Sequence, residues 1–86
     1  MITRDNVRDV FDAITKEQVV KTMNSNVEYC LLEVLSNGII YLSPATNFKV
    51  AEESALESGG IVCDKDALLR LFIESGSKNP FISMYL

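Results

Sequence analysis

The sequence predicts an α+β fold: a small two-layer sandwich in the order ααββαβα, with a candidate strand at the C-terminus and a mixed or antiparallel sheet. Three observations predict it. Two short segments of helical periodicity open the chain, Asn37-Gly38 joins two apolar runs, and a strand-like Ile61-Val62-Cys63 lies between two further helical segments. The chain of 86 residues suits one domain, 1–86. Surface scaling gives roughly 5,000 Å² folded against roughly 14,000 Å² extended, enough for one modest core.

Residues 1–24 hold a short internal repeat, Ile2-Thr3-Arg4-Asp5-Asn6-Val7 and then Ile14-Thr15-Lys16-Glu17-Gln18-Val19. Each copy reads as a helix start. Thr serves as N-cap, and the Ile before it staples to the Val four residues after it. Gln18, at the third helical position, is expected to complete a capping box. The first helix is expected at about 4–13, burying Val7, Val10, Phe11 and Ile14. The second is expected at about 16–24, burying Val19, Val20 and Met23.

Residues 27–43 read as a β-hairpin. Asn37-Gly38 between Val27–Leu35 and Ile39–Leu42 signals a two-residue type I′ turn. That turn pairs Leu35 with Ile40, Val34 with Tyr41 and Glu33 with Leu42. One face then carries Tyr29, Leu31, Leu35, Ile40 and Leu42, interrupted by Glu33; the other carries Cys30, Leu32, Val34, Ile39 and Tyr41. A hairpin apolar on both faces needs cover on both, from its own helices or from a second subunit.

Residues 44–76 read as helix, strand, helix. Ser43-Pro44 or Asn47 starts the third helix, which stops at Gly59-Gly60 and buries Phe48, Ala51, Ala55 and Leu56. The strand at 61–63 is placed to return parallel to a hairpin strand by a right-handed crossover. Asp64 caps a fourth helix at about 65–75, which ends at Gly76 and carries a broad apolar band. Asp66 and Arg70 are spaced for an i, i+4 pair. Residues 77–86 form an apolar tail, expected to add a strand to its own sheet or else to dock on another molecule.

Composition excludes several chemistries. The chain contains no His, which removes the commonest general base and the commonest metal ligand. No Gly-rich phosphate loop is present, and two cysteines without His cannot make a zinc site. Cys30 and Cys63, each among aliphatic residues, read as buried thiols. Asp64 and Asp66 read as cap and dipole residues, and Glu33 as a solvated residue near a sheet edge. The sequence therefore predicts a non-enzymatic protein without cofactor or metal.

Eight basic and twelve acidic residues give a net charge of −4. The basic residues are dispersed, so no patch for phosphate neutralisation is expected. No run reaches the roughly 18 apolar residues of a membrane span, and residues 1–6 show no secretory signal, so a cytoplasmic protein is expected. The favoured function is protein–protein interaction, with self-association as a dimer the expected form. Its candidate surface is Leu71, Ile73, Phe81, Ile82, Met84, Tyr85 and Leu86. The alternative is an acidic inhibitor or nucleic-acid mimic, of the size that mobile genetic elements encode, using Glu52, Glu53 and Glu57. A small-molecule binder or an enzyme with an atypical His-free site is the third reading.

Overall fold

A computed structural model describes residues 1–86. In chain order the elements are α1 (Val7–Asp12), α2 (Lys16–Met23), β1 (Tyr29–Val34), β2 (Ile40–Pro44), α3 (Phe48–Ser58), β3 (Ile61–Asp64), α4 (Lys65–Ser75) and α5 (Pro80–Ser83). The three strands form one sheet in the order β2-β1-β3. The α+β class and the predicted element order hold. Both pairings are antiparallel, so β3 runs in the same direction as β2, as expected of a return parallel to one hairpin strand, but it pairs with β1, which lies between them. Helix α3 is the crossover that carries the chain from β2 over the sheet to β3.

The hairpin turn differs from the expected form by one residue. Leu35 N–H donates to Ile39 O at 2.8 Å, and Gly38 N–H donates to Leu35 O at 2.8 Å. The loop is thus Ser36-Asn37-Gly38, with Gly38 alone at positive φ, +84°. A type I′ turn requires Asn37 to be left-handed as well, and no non-glycine residue is. The three-residue loop shifts the register so that Glu33 pairs with Tyr41, Leu32 with Leu42 and Val34 with Ile40. This shift sorts the faces cleanly. Cys30, Leu32 and Val34 share one face with Ile40 and Leu42; Tyr29, Leu31 and Glu33 share the other with Tyr41 and Ser43.

Helices cover both faces, making three layers rather than the expected two. Cys30, Leu32 and Leu42 join Val10, Phe11, Ile14, Val19, Leu68, Phe72 and Ile82 in the main core. Phe11 and Phe72 meet edge to face at 5.7 Å within it. On the opposite face α3 alone lies over the sheet, and Leu31 packs with Ala45, Ala51 and Ala55. The small side chains let α3 approach closely. They also leave Phe48 and Leu56, expected in its buried face, exposed.

Local caps follow the sequence with two departures. Thr15, Asn47 and Asp64 accept from the N–H groups of Gln18, Val50 and Ala67. Helix α1 is shorter than expected because its first turn is closed reciprocally: Thr3 N–H donates to Asn6 Oδ1, and Asn6 N–H donates to Thr3 Oγ1. Gln18 does not complete a capping box; its Nε2 donates instead to Ile40 O at 3.3 Å. Thr22 rather than Val20 faces inward from α2. Asp66 and Arg70 form no ion pair; the protein's ion pair is the exposed Arg8–Asp9.

The tail forms α5 rather than a strand, and it is part of the core. Ile82 is 1% exposed. Just before α5, buried Asn79 donates through Nδ2 to Phe11 O at 2.8 Å and Ile14 O at 2.9 Å. These carbonyls end α1 and enter the turn to α2; Phe11 O also accepts from Ile14 N–H, at 3.3 Å. Pro80, without an N–H, suits the start of α5. Asn79→Ala should cost on the order of 2 kcal/mol, because it strands the Ile14 carbonyl and leaves Phe11 O with the long bond from Ile14 N–H. Urea denaturation measures this, and a loss within about 0.5 kcal/mol would contradict the assigned role.

Candidate functional site

The two faces of the sheet are unequally covered. The main-core face has four helices against it, and the other has one. Leu35 and Ile39 extend the strand alternation past the ends of β1 and β2, onto the α3 side with Tyr29 and Tyr41. Twelve large apolar residues are exposed. Seven of them, Tyr29, Leu35, Ile39, Tyr41, Phe48, Val50 and Leu56, lie on the α3-side face or on α3 itself. Tyr29 and Phe48 stack edge to face at 5.1 Å.

This surface is also acidic. Glu52, Glu53 and Glu57 are all exposed along α3, with Lys49 the only basic residue in that helix. Between α3 and the hairpin tip lies a concavity of about 540 Å³ lined by Glu33, Ser36, Ser54, Glu57 and Ser58. Glu33 was expected near a sheet edge and solvated. It sits instead on the central strand and is 8% exposed. Ser54 and Ser58, one helical turn apart, both donate to its Oε2, at 2.9 and 3.1 Å. No basic side chain pairs with it.

The anticipated apolar surface divides on folding. Ile82 is in the core, and Leu71, Phe81 and Tyr85 pack partly buried against that core. Ile73, Met84 and Leu86 remain exposed. Leu71 also borders a cleft of about 390 Å³ beside Ile2, Val7 and Ile61. Sequence reasoning therefore missed the stronger apolar face. The readable signal was the alanine pair in α3, since a helix that packs through alanines leaves its larger residues outside.

The cysteines face each other across β1 and β3. Lys65 N–H donates to Glu28 O, which by alternation makes Cys30–Cys63 a hydrogen-bonded pair of the ladder. Both thiols are free, and the Cys30 thiol donates to Cys63 O at 3.3 Å. The hydrogen bond between the two side chains raises the pKa of Cys30, and burial adds to this. The same bond lowers that of Cys63; burial opposes the shift and Arg70 assists it. No group of three or more His, Cys, Asp or Glu residues is arranged to hold a metal ion. No helix is long and apolar enough to cross a membrane.

Comparison with protein families, curated proteins and solved structures finds no match for this chain. The cysteine geometry makes its own prediction. Near pH 8, iodoacetamide should modify Cys63 well before Cys30 in the folded protein, as read by peptide mass mapping. Equal rates, or faster labelling of Cys30, would contradict the assigned thiol order.

Proposed function

We propose that this protein is a non-enzymatic protein–protein interaction module that docks a partner on its α3-side sheet face. The observation that carries this reading is the unequal cover of one sheet. Seven exposed large apolar residues collect on the side that has a single, alanine-packed helix. Aromatic and aliphatic residues framed by charge are the composition of a docking surface.

The charge of this face selects among partners. A two-fold dimer through it would bring Glu52, Glu53 and Glu57 of one copy near the same residues of the other. Like charges so placed oppose association, so a partner with a basic surface is the better complement. The homodimer anticipated from the apolar tail is the alternative arrangement. The residues that motivated it are now partly spent inside the chain, with Ile73, Met84 and Leu86 left to mediate it.

The second reading is the acidic inhibitor or mimic, and the exposure of all three α3 glutamates favours it. The two readings respond differently to salt. Association through the apolar face should persist when ionic strength shortens electrostatic reach, whereas an acidic decoy should release its partner.

The decisive experiment is affinity capture from the native host, comparing the wild type with a Tyr41→Ser/Val50→Ser variant of unchanged melting temperature. The expected result is a partner held by the wild type at physiological salt and lost by the variant, with light scattering of the isolated protein giving the 9.6 kDa monomer. Equal capture by both proteins would overturn the docking face. A mass about twice the monomer would establish the dimer instead.

A further inference from the structure

We propose that the concavity formed by Glu33, Ser54 and Ser58 is a receptor site for an arginine side chain of the docked partner. The inference rests on the docking reading and names the chemistry that the same face would recognise.

Three observations carry it. First, Glu33 is a nine-tenths buried carboxylate on the central strand, and no cation of its own chain is paired with it. Burying a carboxylate without a counter-charge is costly, and two neutral hydroxyls only partly offset that cost. Second, both hydroxyls bind one oxygen, Oε2. Oε1 receives no hydrogen bond from the protein, although Glu33 lines the concavity. Third, the side chains around the concavity are hydroxyls, carboxylates or apolar groups, and none is basic. Once Ser54 and Ser58 have donated their protons to Glu33, their lone pairs remain to accept. The Glu57 carboxylate lies on the same wall, and Met1 and Leu35 add apolar surface.

That arrangement suits a guanidinium. Its planar fork offers five donors to several acceptors at once, and its three-carbon stem can lie on the apolar rim. An ammonium supplies the charge but not the fork. An anionic ligand would face both Glu33 and Glu57 and is disfavoured.

The test is a nitrogen-15 NMR titration with N-acetyl-arginine-amide, using the uncharged N-acetyl-citrulline-amide as its near-isosteric control. Saturable shifts confined to residues 33, 36, 54, 57 and 58 are expected with the arginine compound and not with citrulline. Glu33→Gln should weaken that response about tenfold or more. The exposed Glu57→Gln variant should weaken it a few-fold, and it serves if the Glu33 variant fails to fold. Absence of saturation, an equal response to citrulline, or an unchanged response in the folded Glu33 variant would overturn the site. The result separates from the docking test. A saturable arginine response combined with equal partner capture by Tyr41→Ser/Val50→Ser keeps the receptor site and removes the apolar docking face. Loss of capture without an arginine response does the reverse.

Discussion

Strand β1 is hydrogen-bonded along both edges and packed on both faces. Its odd-numbered residues turn their backbone groups toward β2, and its even-numbered residues turn theirs toward β3. Its side chains alternate between the ten-residue main core and the smaller α3 core. Every other element is placed by this strand. Helices must lie on both sides of the sheet because Leu31 and Leu32 are both buried and point in opposite directions. The register at the hairpin turn decides which residues go to which side, so a three-residue loop in place of two reassigns the whole of β2.

Polar contacts between distant parts of the chain then close the ends of the elements. Lys65 Nζ donates to Met23 O and Ser25 O at the end of α2, where a cation also meets the negative end of the helix dipole. Asn79 serves the end of α1. The outer edge of β2 is protected in a related way. Ile40, Leu42 and Pro44 turn their backbones outward; Pro44 has no N–H, and Gln18 occupies the Ile40 carbonyl. Strand addition at the β2 edge is thereby hindered. With a single exposed ion pair in the structure, buried amides and a lysine at a helix end hold the periphery together.

The same central strand produces the asymmetry between the two faces. Four helices satisfy one face, and the remaining helix satisfies the other only where its alanines touch. Glu33 is the polar exception on β1, and it falls on the lightly covered side. A carboxylate at that position is costly to the isolated fold, yet it is accommodated by two serines spaced to reach it. Exposed apolar side chains around an acidic recess set this side of the sheet apart from the other.

Much of the fold was legible in local chemistry. The caps at Thr15, Asn47 and Asp64, the stops at Gly59 and Gly76, and the apolar runs of the strands are short-range effects that depend on residues a turn apart. Helix α4 was placed to the residue for that reason. The candidate site was not legible, because it joins Ser54 and Ser58 to Glu33 across more than twenty positions, and only the packing of α3 on β1 sets that distance. Tail placement was open for the same reason: apolar composition shows that residues 80–86 must be covered, but not by what. By itself the sequence determined the elements, their order and the need to cover β1 twice. Only the tertiary structure decided the register of β2, the destination of the tail and the burial of Glu33, since each depends on pairings between segments that local propensity does not encode.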